Sequence, residues 1–325
     1  MTNQRLVDLA AQVIQEFPTS SNRMLGRLLA ERHPTLFYNG EHGRSIIRYV
    51  RGASGEFSRR ENGPYPELKR DTVPPPRTLP PSRTTSRDPF VLHHKKTLIL
   101  SDTHIPYHDA EAIQVALDYR EFDSILLNGD ILDFHRLSRF VPDAEAVSFA
   151  EEIETGKEFL RYLHDTYGVP IYYKIGNHEE RLEHYMYTKA PEIADTKVWR
   201  IEELLDFEEL GITLISDKRR VLLGSLTVLH GHELSRGFVA PVNPARGAFL
   251  KASQSVLIGH HHKTSEHNET ALGGKLISCW STGCLCNLSP SYAPYNKSNL
   301  GFAFVEVSGD GYNVQNKRIH EGRIM

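Results

Sequence analysis

The chain has 325 residues, 39% of them hydrophobic and 24% charged, a globular composition that excludes wholesale disorder. No apolar run approaches the ~18 residues of a membrane span, and the N-terminus MTNQRLVDLA lacks a signal-peptide core, so the expectation is a soluble cytoplasmic protein. A net charge of −3 hides a division: residues 1–95 carry 15 Lys and Arg against 9 Asp and Glu, residues 96–325 carry 23 against 32, and a basic arm before an acidic body points to an anionic partner for the arm.

Residues 1–55 read as a small three-helix unit. Leu6, Leu9, Ala10, Val13, Ile14 and Phe17 recur at helical spacing until Pro18. Ser20, Ser21 or Asn22 caps a second helix, with Met24, Leu25, Leu28 and Leu29 on its apolar face, and Asn39-Gly40 leads into a third over roughly 41–51. There Ile46, Ile47 and Val50 pack inward, while Arg44, Arg48 and Arg51 share one outward stripe. A solvated face is the plain reading of such charges. The sharper one is a helix-turn-helix-like unit with the stripe laid on DNA, favoured by the basic run Arg59-Arg60, Lys69-Arg70, Arg77, Arg83 and Arg87. That run lies in a Pro/Arg-rich linker over 56–95, where apolar periodicity vanishes.

From residue 96 strands and helices alternate. Strands are expected at Thr97–Leu100, Ser124–Leu127 and Ile171–Ile175, followed by helices near 109–120, 145–167 and 179–189. Strands Ile212–Ile215, Val221–Leu229 and Ser255–Ile258, a helix near 243–252, and strands near 275–281, 302–308 and 312–319 complete the chain. Early βαβα units argue for parallel pairing and the later strands for antiparallel pairing, in a layered α/β domain of two sheets.

Polar residues cluster where these strands end: Asp102-Thr103-His104, Gly129-Asp130 with Asp133, Gly176-Asn177-His178-Glu179, His230-Gly231-His232, and Gly259-His260-His261-His262. Ligands of α/β sheets bind beyond the carboxyl ends of strands, so five such clusters can converge. Their oxygens and imidazoles suit manganese, iron or zinc. Seven ligands divide between two ions if one aspartate bridges, and a two-metal site clamps both oxygens of a displacement, from which phosphate ester hydrolysis gains most.

In order and spacing, DTH, GDILD, GNHE, HGH and GHHH resemble the calcineurin-like metallophosphoesterases over about 96–320. The resemblance implies a two-sheet αββα sandwich at 96–325 and two divalent ions, manganese expected first, with iron, zinc or a mixed pair as alternatives. Asp102, His104 and His262 would hold the first ion, Asn177, His230 and His260 the second, and Asp130 would bridge. A hydroxide between the ions would be the nucleophile, His178 would protonate the leaving oxygen or stabilise charge on it, and Asp133 would orient His178. Phe134 stands where the phosphoprotein phosphatase branch has a phosphate-gripping arginine; Arg136, Arg139 and Arg181 are candidate substitutes. The helical unit, the linker, GNHEER and GCLCNLSP are similar to phage- and prophage-encoded members.

Plainer readings stand beside these. His232 competes with His230 as a ligand. His261 points away if neighbours alternate, His135 is a cleft or surface residue, and Glu179 and Glu180 are helix-start acids. Cys279, Cys284 and Cys286 read as reduced structural thiols, an odd number that excludes a disulfide scaffold. Tyr292 and Tyr295 either stack on a base or pack their loop. The leading expectation is a DNA-directed phosphodiesterase of a bacterial or phage-infected cell, with DNA reached through the N-terminal unit. The alternatives are a phosphomonoesterase with a protein-docking tether, and a nucleic-acid-binding protein with a vestigial metal domain.

Overall fold

The computed structural model describes residues 4–53, 87–139, 146–216, 218–234, 242–290 and 295–325. The chain divides into two compact units, Met1–Thr84 and Thr85–Met325. Most of the expected linker, 56–86, lies outside the described residues.

In the first unit α1 (Gln4–Glu16), α2 (Asn22–Arg32) and α3 (Gly40–Val50) close on Ala10, Val13, Leu25, Leu29, Phe37 and Ile47. Ser21 and Asn39 cap α2 and α3, accepting from Met24 N at 3.2 Å and His42 N at 2.8 Å. The two helices meet backbone to backbone: a Cβ on Gly26 would stand 2.5 Å from Arg44 N, so glycine is what lets them approach. Met24, expected inward, is 56% exposed. The arginine stripe is shorter than expected. Arg51 donates to Pro18 O, Ser20 O and Asn22 Oδ1 at 3.1, 3.1 and 2.6 Å, and so ties α3 to the α1–α2 turn. Arg44 pairs with Glu41 at 3.0 Å, and Arg48 is exposed.

The second unit is built on two sheets. One runs β1 (Phe90–Leu92), β6 (Val221–Leu223), β7 (Leu226–Leu229), β8 (Val256–Ile258), β10 (Leu276–Ser281), β9 (Ser265–Thr270). The other runs β13 (Arg323–Ile324), β12 (Gly311–His320), β11 (Leu300–Ser308), β2 (Lys96–Leu100), β3 (Ser124–Asn128), β4 (Ile171–Lys174), β5 (Thr213–Ile215). Alternation along the strands sets the layers. Leu98, Leu100, Ile125 and Leu127 pack with α4 (Ala110–Leu117) and α5 (Phe149–Tyr167), while Ile99 and Leu126 pack with Val221, Val228 and Leu257 of the facing sheet. On the far side α8 (Pro244–Ala252) sets Ala245 and Ala248 against Val256, Ile258 and Cys279. The layers are αββα.

Three expectations are corrected. Val221–Leu229 is a hairpin, β6 and β7, because Gly224 (φ 59°) turns the chain inside the apolar run. The later strands are not uniformly antiparallel: β7–β8 and β8–β10 pair in parallel, with α8 and β9 filling the intervals between them. Phe90–Leu92, inside the expected linker, pairs in parallel with β6.

Candidate metal centre

β2, β3 and β4 are parallel neighbours in one sheet, as are β7 and β8 in the other. The loops leaving their carboxyl ends meet. Asn128 Nδ2, at the end of β3, donates to Leu229 O, at the end of β7, at 2.9 Å, and in the loops beyond, His260 N donates to Asp102 Oδ2 at 2.9 Å, so both bonds join one sheet to the other. The turns are abrupt: Asp102, His104, Asp130, His260 and His262 all have φ between 48° and 66°. Left-handed backbone costs a residue with a side chain about 1–3 kcal/mol, so the surrounding structure must hold each one there.

The seven expected ligand side chains come together. His262 Nε2 lies 3.1 Å from His104 Nε2 and 3.2 Å from Asp102 Oδ1. His230 Nε2 lies 3.2 Å from Asp130 Oδ2 and 3.3 Å from Asn177 Oδ1. Asp130 belongs to two groups whose ligand atoms lie within 4.8 Å of one another, one with His104 and His178, the other with His230 and His260. The donors fit divalent cations. Buried Asp102 Oδ1 and His260 Nδ1 have no hydrogen bond. His230 Nδ1 donates to Asn128 O at 2.7 Å, which turns its Nε2 inward. Burial alone would raise the Asp102 and Asp130 carboxyls. Histidines override it, His262 at Asp102 and His178 with His230 at Asp130, and hold both below the usual carboxylate range. Burial likewise opposes charge on His230, but Asp130 and Asp102 push it up to about 10; the same field attracts a cation that would displace the proton. His260 drops to about 4, because burial and His230 both disfavour its charge.

The model of the calcineurin-like phosphoesterases matches residues 95–280. The chain belongs to that family. It is a metal-dependent phosphoesterase, and no described helix is long and apolar enough to cross a membrane. It is 28% identical over 238 residues to the Gene 54 protein of Mycobacterium phage L5, covering 68% of this chain and 91% of that protein. It is 28% identical over 237 residues to the Gene 54 protein of phage D29, covering 66% and 90%. These likenesses make it a phage-type member. Among solved structures it is similar to a metallophosphoesterase from Sphaerobacter thermophilus, at 20% identity, 70% and 89% coverage and a TM-score of 0.37.

Other residues of this phosphoesterase stand where the sequence did not point. Glu179, read as a helix-start acid, is buried and accepts from the backbone N–H groups of Asp130, Ile131, Leu132 and Gly176 at 3.0, 2.7, 3.2 and 2.8 Å, and from Tyr173 Oη at 3.0 Å. The distance of Glu179 from β3 in sequence hid this. Glu233 accepts from His230 N and Gly231 N at 3.2 and 2.7 Å and pairs with fully buried Lys174 at 2.7 Å. Asp133 places its carboxylate 2.8 Å from His104 Nδ1, and its carbonyl takes His178 Nδ1 at 2.7 Å, so it steers His178 mainly through the backbone.

Phe134 is buried against Phe149 and has no polar group to offer a phosphate. Of the candidate arginines, Arg181 reaches the centre, 2.7 Å from His178 Nε2, while Arg136 binds the Ala146 and Val147 carbonyls. His232 bonds Glu180 at 3.1 Å instead of joining the ligand groups. His261 lines a cleft of about 370 Å³ with Asn177, His232 and His260. The alternation argued for it does not apply, since 259–262 lie beyond β8. His135 sits in the 3-10 turn His135–Leu137, Tyr295 is exposed, and Tyr292 lies outside the described residues.

Two predictions follow from the buried carboxylates. Glu179→Gln turns one acceptor oxygen into a donor, leaving at least one buried N–H unpaired at about 1–3 kcal/mol. Urea unfolding and metal analysis should show stability and bound metal falling together; a fully loaded variant of wild-type stability would remove Glu179 from this role. For Glu233, burial opposes charge but Lys174 holds the carboxyl to about 2, below the ordinary 4.5. A lowered folded-state pKa contributes stability above about 4.5 that is lost as the pH falls toward about 2. The stability gap between wild type and Glu233→Gln should be full at neutral pH and close across that window. A gap independent of pH would exclude the ion pair as its source.

Proposed function

We propose that the centre holds two divalent cations and hydrolyses phosphodiester bonds of DNA. Asp102, His104 and His262 hold one cation, Asn177, His230 and His260 the other, and Asp130 reaches both. When bound, the cations neutralise phosphate charge and make water nucleophilic at neutral pH. The chain's own groups do the rest. Arg181, at 2.7 Å from His178 Nε2, is placed to grip a phosphate oxygen, and it takes the part that Phe134 cannot. His178 is anchored through Nδ1 on Asp133 O and its Nε2 accepts from Arg181; once Arg181 turns to the phosphate and Nε2 carries a proton, that nitrogen delivers it to the leaving oxygen. The convergence of seven donors, one of them the aspartate between the two groups, carries the hydrolytic reading.

The charge division between residues 1–95 and 96–325 carries the substrate reading, because an acidic body needs a basic handle to collect a polyanion. Arg48 and, beside Glu41, Arg44 are the stripe residues left to meet phosphates.

Asp130→Asn should abolish hydrolysis of every ester while circular dichroism stays native; full activity in this variant would sink the two-cation reading. The substrate is tested with Mn²⁺ on bis-p-nitrophenyl phosphate, p-nitrophenyl phosphate and linear, circular and single-stranded DNA. Full-length protein is compared with Arg44→Ala/Arg48→Ala and with a chain starting at Thr85. The double variant should bind DNA more weakly, with a salt slope shallower by about 1–2, and should spare the small esters. If DNA is never cut and only the monoester is hydrolysed, the enzyme is a phosphomonoesterase and the N-terminal unit serves a protein partner.

A further inference from the structure

The two sides of the centre differ in one donor. On the side of Asp130, His230, His260 and Asn177 the donors are all oxygen and nitrogen. On the other side, Cys286 joins His104 and His262 in a group whose ligand atoms lie within 4.8 Å of one another. Asp102 Oδ1, fully buried and without a hydrogen bond, is 3.2 Å from His262 Nε2 on this same side.

Cys286 is held there by backbone. Leu285 N donates to Asp102 O at 3.0 Å, Asp109 N to Leu285 O at 2.9 Å, and Asn287 N to Tyr107 O at 2.8 Å. The segment around Cys286 is thus stitched to the loop that carries Asp102 and His104, and the Cys286 backbone cannot drift from those residues without breaking main-chain bonds. Of the other two cysteines, Cys279 points elsewhere, its Sγ 3.4 Å from Gln254 O. Cys284 Sγ lies 3.6 Å from Asn299 O and also faces His262 and the Cys286 thiol, so it borders the same side of the centre without joining the group of ligand atoms.

We infer that Cys286 is a thiolate ligand of the cation held by Asp102, His104 and His262. The inference rests on the metal-centre reading and makes the two cation positions chemically unequal. A site with sulfur, two imidazoles and two carboxylates, one of them the shared Asp130, prefers zinc, iron or cobalt(II). The all-oxygen-and-nitrogen position accepts manganese as readily as the others. On coordination the thiol proton leaves to solvent and the sulfur–metal bond forms, with no change of oxidation state. The two positions would fill with different ions when several are offered together.

The test uses the full chain, stripped of metal and loaded with Co²⁺, with bound cobalt counted by elemental analysis. Wild type, Cys279→Ser and Cys284→Ser should show the near-ultraviolet sulfur-to-cobalt charge-transfer band together with visible d–d bands. Cys286→Ser should lose the charge-transfer band. If that variant does not fold, the wild-type and Cys284→Ser spectra still decide. Bound cobalt with d–d bands and no charge-transfer band in wild type overturns the inference and leaves the metal centre standing. A band that survives Cys286→Ser, or that Cys284→Ser removes, also overturns it. Failure of wild type to bind cobalt at all overturns the metal-centre reading, and the inference with it.

Discussion

Loops that leave the ends of parallel strands carry backbone N–H groups with no strand to pair with, and burying them unpaired is costly. Here carboxylates pair them. Glu179 gathers four N–H groups from the loops after β3 and β4, and Glu233 gathers two from the loop after β7. The ligands do the same with their spare oxygens: Asp102 Oδ2 accepts from His260 N and Asp130 Oδ1 from His178 N at 2.8 Å. Each loop is thereby clasped to a neighbour, and the clustered side chains are aimed by these bonds together with their own.

That clasping makes the backbone conformations tolerable. Five of the clustered residues sit in left-handed geometry, which aspartate and histidine enter more readily than most residues but still at a cost. Glycines help only where contact is closest. A Cβ on Gly176 would run into Asp130 Oδ1 and stand 2.8 Å from Glu179 Oε2, so this position must be bare for the shared aspartate to sit where it does. The αββα layers beneath supply the rigidity, with alternating residues such as Leu98, Ile99 and Leu100 locking β2 between helices and the facing sheet.

Most of the positions that cluster were legible because each apolar strand stops at a polar group of residues, a break that one sequence displays without help. What was hidden has a common cause: one-dimensional patterns do not report what lies across a loop. Glu179 looks like any acid at a helix start, yet four of its five donors belong to backbone. Gly224 and Ser225 interrupt the run VLLGSLTVL only briefly, so a hairpin passed for one strand. Arg51 shares the spacing of Arg44 and Arg48, but the α1–α2 turn offers its carbonyls to that guanidinium alone. β9, with the sequence SEHNET, has no apolar alternation because it lies at a sheet edge.

Those edges have a consequence for how the molecule behaves in a crowded solution. Within the described residues the outer strands are β1 and β5, of three residues each, β13, of two, and the polar β9. Short or charged borders offer little template on which a second molecule can continue the sheet. Copies of the folded chain at high concentration can therefore lie side by side without merging into fibrils.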